Sequence, residues 1–287
     1  MKQTAFTLLE LLVVITIIGI LSSIVIVSMS NSTDSAAIAK GKAYAQQINS
    51  VLGDKTVLSL NFNENATGTC PDGKDVCDAS GYNNNGTIYG ASYVSSLVDG
   101  YALSFDGVDD YAEIRRPAPS ALIFTGSQPW TFEHWIKFWD QTTVYAGKLS
   151  YGPYFYISNT QLGFRALGGV EYGWAGSSLY NRWHYIAWVA DGNGNLNVYL
   201  NGVSQGSKSV PTTMEFERIG KSYGGSGYFL KGFIDEIRVY AEDIPATEIQ
   251  KHYVQGLEKL LANQAITQAE YDQRMEEFNQ SLVQNRF

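Results

Sequence analysis

The chain has 287 residues, a formal net charge of −8, 28 Gly and 13% aromatic side chains, 19 of them Tyr, while Asp, Glu, Lys and Arg together make up only 17%. An acidic chain without a Lys/Arg cluster excludes nucleic acid as an expected partner. So many aromatics beside so few charges exclude a disordered tail and point to an extracellular all-β domain, with length left over for a separate anchor.

The first element is Phe6 to Val27, FTLLELLVVITIIGILSSIVIV, apolar except for Glu10. At 1.5 Å per residue, about 22 helical residues span roughly 33 Å, enough for a bilayer core of about 30 Å. The run is too long for a signal-peptide core, and no A-x-A-type cleavage site follows it. A plain membrane anchor is one reading. Glu10 favours another, because a carboxylate inside an apolar helix costs about 2.5–3.5 kcal/mol on insertion scales and a charge kept there needs a partner.

The leader MKQTA followed by Phe6-Thr7-Leu8-Leu9-Glu10 resembles the N-terminus of type IV prepilins and pseudopilins. The resemblance implies cleavage by a prepilin peptidase between Ala5 and Phe6, N-methylation of Phe6, and pairing of Glu10 with the new α-ammonium of a neighbouring subunit. Two buried opposite charges that satisfy each other cost far less than either alone, so the pair would set subunit register. Ala5 departs from the Gly that usually precedes the cut. Gly19, Ser22 and Ser23 allow close helix approach. The implied partners are the peptidase, the membrane and other pilin subunits. The implied location is the bacterial cytoplasmic membrane before assembly and a surface filament after it.

The helix is expected to run on to about Leu52, with Ala36, Ala37, Ala39, Ala43, Tyr44, Ile48 and Val51 on one face and Gly53-Asp54 as its end. From Thr56 the hydrophobic period changes to two, beginning with VLSLNF. Next comes a turn-rich stretch containing Cys70 and Cys77, whose spacing outside the cytoplasm reads as a short disulfide loop. The Asn-x-Ser/Thr matches at Asn31, Asn65 and Asn85 read as turn chemistry. Short strands then recur: YALSF, YAEI, WTFEHWIKF, WHYIAWV and LNVYL, the last closed by the hairpin signal Asn201-Gly202. In WTFEHWIKF the polar Thr131, Glu133 or Lys137 are expected opposite the aromatics. Many short strands at regular spacing read as a sandwich or jelly roll.

Five blocks, DASGYNNNGTIYG, LSFDGVDDYAEI, WTFEHWIKF, NRWHYIAWVADGNGNLNVYLNG and GFIDEIRVYAEDIPATEIQKHY, resemble in order the laminin G-like, concanavalin A-like jelly rolls. The resemblance spans about 56–254. The resulting expectation is a mainly β antiparallel sandwich over 56–243. It would be preceded by a leader (1–5) and a pilin helix (6–52), and followed by a helical region (244–287). In that last region Ile249, Tyr253, Leu257, Leu260 and Leu261 form one apolar stripe, and Tyr271, Met275, Phe278 and Leu282 a second. Thr267 to Glu270 read as a capping box. A helical hairpin follows, docked on the sandwich or on another subunit. Pro245 stands where the family's helix cap usually lies.

The sandwich family also includes glucanases, which need two carboxylates about 5 Å apart. No E-x-D-x-x-E motif occurs, and His134, His184 and His252 stand outside any nucleophile motif, so the expectation is a protein that is not an enzyme. Metal is more plausible. Calcium ties the first and last strands in many members, and it suits hard carboxylate and carbonyl oxygens. Asp235 is the lead ligand candidate, with oxygens near Asn63 and Gly107 and the carboxylates Asp106, Asp109 and Asp110. These residues also read as ordinary turn and edge carboxylates. For a sugar or surface-protein ligand, the candidate stacking residues are Tyr151, Tyr154, Tyr172, Trp174, Tyr223 and Tyr228 in Gly-rich loops, whose other reading is core packing. The sequence reading is therefore a pilin-like filament subunit displaying a laminin G-like adhesive domain. The alternatives are a tethered lectin that never polymerises, a structural pilin without ligand, and an unusual glycosidase.

Overall fold

The computed structural model describes residues 55–95, 98–114, 122–139, 143–148, 152–176, 178–221 and 229–284. The expected N-terminal helix, with Ala5, Phe6 and Glu10, lies outside them, as do Tyr151, Tyr223 and Tyr228. Lys55–Phe287 forms a compact unit of its own. Its strands are β1 (Thr56–Leu60), β2 (Thr87–Tyr89), β3 (Ser92–Ser95), β4 (Tyr101–Asp106), β5 (Tyr111–Glu113), β6 (Ile123–Phe124), β7 (Pro129–Phe138), β8 (Thr143–Gly147) and β9 (Tyr154–Ser158). They continue as β10 (Gln161–Arg165), β11 (Glu171–Ala175), β12 (His184–Asp191), β13 (Asn195–Leu200), β14 (Val203–Ser209), β15 (Met214–Glu215), β16 (Arg218–Ile219) and β17 (Lys231–Tyr240). Two helices close the unit, α1 (Ala246–Ala262) and α2 (Gln268–Gln284).

The strands form two antiparallel sheets. One runs β14-β13-β12-β7-β17-β4-β3, with β1 also paired to β17, and the other runs β11-β10-β9-β8-β16-β5-β2. The first and last strands are neighbours, with Leu60 opposite Ile237. The Asn201-Gly202 hairpin is present, and both residues have positive φ, +52° and +77°, which matches the strand twist.

Period two in β7 builds the core. Trp130, Phe132, His134, Ile136 and Phe138 face between the sheets and are all buried. Phe132 packs on Phe155 and Phe216 with ring centroids 5.1 and 4.9 Å apart. Polar tips that enter this core find acceptors: Trp188 Nε1 donates to the Tyr145 hydroxyl at 2.8 Å and Trp130 Nε1 to the Thr212 carbonyl at 2.7 Å. His134 differs. Neither of its ring nitrogens has a hydrogen-bond partner among the described residues. Burial, its largest influence, lowers its pKa to about 3.

The opposite face of β7 carries Thr131, Glu133 and Trp135. Trp135 is thus on the polar side of the alternation, and the expectation that the aromatics share one face fails at this residue. The reason is α1, which covers this face. Trp135 stacks on Tyr253 at 6.0 Å, and a Cβ at Gly256 would come within 2.3 Å of the Trp135 indole. Gly256 therefore lets the helix lie close against the sheet.

Ile249, Tyr253, Leu257 and Leu260 of the expected first stripe are buried, and Leu261 is half-buried. In α2 only Phe278 of the expected stripe is buried. Arg274 is buried beside it, because its guanidinium reaches Glu270 Oε1 at 2.6 Å and the Trp183 carbonyl at 3.0 Å. Thr267 Oγ1 accepts the Glu270 N–H at 3.1 Å, the first half of the expected capping box. The hairpin docks on the eight-stranded sheet.

Candidate functional site

The turn-rich stretch before β2 is structural. Cys70 and Cys77 form a disulfide, as expected. The Asp78 carboxylate accepts the N–H groups of Ser59, Ser80 and Asn84 at 2.8–2.9 Å, and Asn84 Nδ2 donates to the Val57 carbonyl at 2.7 Å. The Asp, Ser and Asn residues of the DASGYNNNG block thus spend their polar groups on holding the turn against β1.

Under the hairpin lies a charged hub. Glu133 is fully buried and takes hydrogen bonds from the Tyr185 hydroxyl (2.6 Å), the Tyr240 hydroxyl (3.1 Å), Arg238 (3.2 Å) and His252 Nδ1 (3.0 Å). Burial pushes its pKa up, but His252, Arg238 and the Tyr185 hydroxyl more than reverse this and hold it at about 2. The hub fastens α1 to β7, β12 and β17. It lies beneath the helix, where a ligand has no direct approach.

The expected calcium ligands fall into two clusters. At the bulge in β17, Asp235 is buried. Its Oδ1 accepts the Glu236 N–H at 2.7 Å and its Oδ2 the Asp99 N–H at 3.3 Å. Asn63 Oδ1 accepts the Tyr101 N–H at 3.1 Å, so the loop at 98–101 ties the end of β1 to β17. Lys259 Nζ from α1 lies 2.6 Å from Asp99 Oδ2 and 3.7 Å from Glu236 Oε1.

The second cluster is Asp106, Asp109 and Asp110, whose carboxylate oxygens lie within 4.8 Å of one another. Burial first, then the charges of Asp106 and Asp109, raise the Asp110 pKa. Asp106 stands opposite Lys231, four positions along β17 from Asp235, roughly 13 Å away. The expectation that Asp106, Asp109 and Gly107 join Asp235 in one site is therefore corrected: β-sheet register separates them. Gly107 serves the turn itself, at φ +85° with its Cβ position 2.8 Å from Lys231. The carboxylates of Asp106, Asp109 and Asp110 are close enough to one another to share a hard cation such as calcium, whereas the Asp99 carboxylate is already paired with Lys259.

The expected aromatic ligand residues are also redistributed. Trp174 is 2% exposed, packs edge-on against Trp188 and donates to the Gly206 carbonyl at 2.7 Å. Tyr172 is half-buried against the same core. Both are packing residues, because Tyr172 and Trp174 share the inward face of β11.

Residues on the outward face of the seven-stranded sheet form a row. Register places Arg165 beside Tyr154, Tyr154 beside Gly147, Gly147 beside Arg218, Arg218 beside Glu113 and Glu113 beside Thr87. A Cβ at Gly147 would come within 2.6 Å of Tyr154, so glycine permits this close approach. Two positions along, Tyr111 and Tyr89 stack with centroids 4.6 Å apart, and Tyr89 is 44% exposed. The Arg218 guanidinium sits 4.5 Å from the Tyr111 ring centre, Lys221 Nζ 5.5 Å from it, and Arg165 5.5 Å from that of Tyr154. No helix among the described residues covers this face. Of the expected residues that the structure describes, only Tyr154 belongs to it. Tyr89, Tyr111, Arg218 and Lys221 were missed, although period two in TIY and YAE places Thr87 with Tyr89 and Tyr111 with Glu113.

An antiparallel two-sheet jelly roll with one face sealed by helices and the other paved with tyrosine and arginine defines a lectin-like sandwich. The chain belongs to the concanavalin A-like lectin/glucanases superfamily, whose family model matches residues 106–250. It also carries the prokaryotic N-terminal methylation motif, at residues 1–26. No curated protein shows significant similarity to it.

Solved structures of similar fold include the binding domain of Paraclostridial Mosquitocidal Protein 1 (16% identity, TM-score 0.56, covering 72% of this chain and 53% of that one). Another is botulinum neurotoxin type C, whose cell entry is dependent upon interaction with two ganglioside molecules (14%, 0.56, 72% and 52%). A third is domain 4 of AbnA, a GH43 extracellular arabinanase from Geobacillus stearothermophilus, in complex with arabinotriose (20%, 0.51, 69% and 97%). The chain spans about half the length of the toxin chains it matches. At these identities the likeness is one of fold.

Proposed function

We propose that this protein is a subunit of a type IV pilus-like surface filament that presents its sandwich as a glycan-binding, adhesive head. The observation that carries the reading is the pairing of a prepilin-type N-terminus with a lectin-like sandwich whose one open face is lined by Tyr89, Tyr111, Tyr154 and Arg218. Tyrosine rings offer apolar faces to a sugar while their hydroxyls stay hydrated, and neighbouring charged groups orient it.

The protein binds its ligand without cleaving it. On the open face Glu113 lies against Arg218, an arrangement suited to structure more than to acid–base work. Processing at Ala5–Phe6 releases the α-ammonium that Glu10 pairs with in the neighbouring subunit, and the protein moves from the cytoplasmic membrane to the cell surface.

The test is made on cells. Surface filaments containing the chain, with a mature N-terminus at Phe6, and their loss with Glu10→Ala, are expected. A mature chain beginning at Met1, or normal filament incorporation of Glu10→Ala, overturns the filament half. Absence of binding by purified filaments to any member of a glycan array overturns the adhesive half.

A further inference from the structure

Several cations of the sandwich are matched at close range. Lys148 meets Glu215, Arg238 meets Glu133 and Glu236, Lys259 meets Asp99, and Arg274 meets Glu270. Arg218 and Lys221 differ. The nearest carboxylate oxygen to Arg218 is Glu113 Oε2, 3.7 Å away and beyond hydrogen-bond reach, and the buried Arg218 Nε has no partner. Lys221 forms no ion pair among the described residues. Its ammonium stands 4.3 Å from the Phe229 ring centre and 5.5 Å from that of Tyr111. Burial, then the like charge of Arg218, lowers the Lys221 pKa, with the charge of Asp109 opposing them. Two cations therefore crowd one aromatic ring in a chain whose net charge is −8.

Tyr111 stacks with Tyr89 and also carries Arg218 over its ring. The outer face of Tyr89, a ring 44% exposed, suits a pyranose face, and the guanidinium over Tyr111 suits a planar, two-oxygen anion. Asp106, Asp109 and Asp110 lie in the turn leading into β5. The Asp109 charge acts on Lys221, so of the two cations Arg218 is the one the cluster leaves to an acidic group.

Resting on the glycan-binding reading above, the geometry points to a glycan bearing a carboxylate, with a sugar face on the exposed Tyr89 ring and its acid at Arg218 and Lys221. The anion relieves the repulsion between the two cations and fills the hydrogen-bonding capacity that Glu113 leaves open.

The test uses the full-length protein in detergent and matched pairs of probes: polygalacturonate against its methyl ester, and sialyllactose against lactose. In at least one pair the acid is expected to bind about tenfold more tightly, as one charge-assisted contact predicts. Lys221→Gln and Arg218→Gln should each bring the acid's affinity down to about that of its neutral counterpart measured on the same variant. Lys221 is the safer site, because its side chain supports no strand pairing. If both members of every pair bind equally, or the preference survives in both variants, the acidic assignment is overturned while the glycan reading stands. If no probe binds and none on a broad neutral array does, both fall. An equal gain for dextran sulfate over dextran marks a bare charge patch and overturns the assignment.

Discussion

The outer faces of the two sheets are built by the same alternation and end in opposite states. On the eight-stranded sheet, Thr131, Glu133, Trp135 and Tyr185 point outward and are then covered by α1 and α2. On the seven-stranded sheet, Tyr89, Tyr111, Glu113, Tyr154 and Arg218 point outward and remain half-exposed. Outward polarity alone did not decide the outcome, since the covered face holds a carboxylate and the open face holds tyrosines. The difference lies in satisfaction. Under the helices every bond of Glu133 is met within the fold, whereas on the open face Arg218 and Lys221 face aromatic rings, with Glu113 3.7 Å from Arg218.

The largest expected effect breaks the covered face. Glu133→Ala leaves Arg238, His252 and two tyrosine hydroxyls without their shared acceptor. Removing one partner of a buried charge network costs about 3–5 kcal/mol, and urea denaturation should register a loss of that order. Glycan affinity of the protein that remains folded should not change, because the hub lies on the other sheet. A variant that melts normally would show that the helices are held by apolar contacts alone.

Acid comes next. His134 and His184 are both held at about 3, by burial first, and for His184 by Arg274 and Arg182 as well. An unfolded imidazole titrates near 6.5, so below that pH the unfolded chain takes up protons that the folded chain refuses. Stability is complete above about pH 6.5 and is lost as the pH falls toward 3. The two residues together account for about 4 kcal/mol lost by pH 5. Glu133, depressed to about 2, adds its own loss only below its unfolded value near 4.5, in the same direction. His134→Leu should remove about half of the slope between pH 6.5 and 5. An unchanged slope would place the acid sensitivity elsewhere.

How far these two faces were legible in the sequence follows from what alternation encodes. Strand identity, the Asn201-Gly202 turn, the disulfide and the helical stripes are local, and each appears where periodicity put it. Trp135 was misplaced because its burial comes from α1, more than a hundred positions later in the chain. Trp174 read as a loop aromatic because nothing near it announces that β11 turns its even residues inward. The Asp235 and Asp106 clusters looked like one site because both precede or follow strands that do pair. Only the pairing of β4 with β17, which sets Asp106 opposite Lys231, shows that they lie four positions apart.

Calcium sharpens that separation. If the Asn63–Asp99–Asp235 cluster holds the ion, Asp235→Asn should abolish the melting difference between calcium and chelator while Asp109→Asn leaves it. If the Asp106 cluster holds it, the two variants exchange roles. At a hundredfold excess over Kd the gain is about 2.7 kcal/mol. Identical melting of the metal-stripped protein with calcium and with chelator would return both clusters to ordinary turn and bulge chemistry.

The smallest effect tests the open face itself and sets two aromatics against each other. Trp174→Ala removes a buried indole that packs on Trp188, and large-to-small changes of this kind cost about 3–5 kcal/mol, so melting should fall steeply. Tyr89→Ala removes a ring that is 44% exposed and stacks only on Tyr111, so melting should change by about 1 kcal/mol or less. Glycan affinity should order them the other way. Losing one stacking face should weaken binding about fivefold, equivalent to about 1 kcal/mol, while the fraction of Trp174→Ala that stays folded should bind as wild type. Isothermal titration of both variants against the same glycan decides the matter. Should Trp174→Ala lose affinity while folded and Tyr89→Ala keep it, the ligand contacts lie around β11 and the β2–β5 platform is only the end of a sheet.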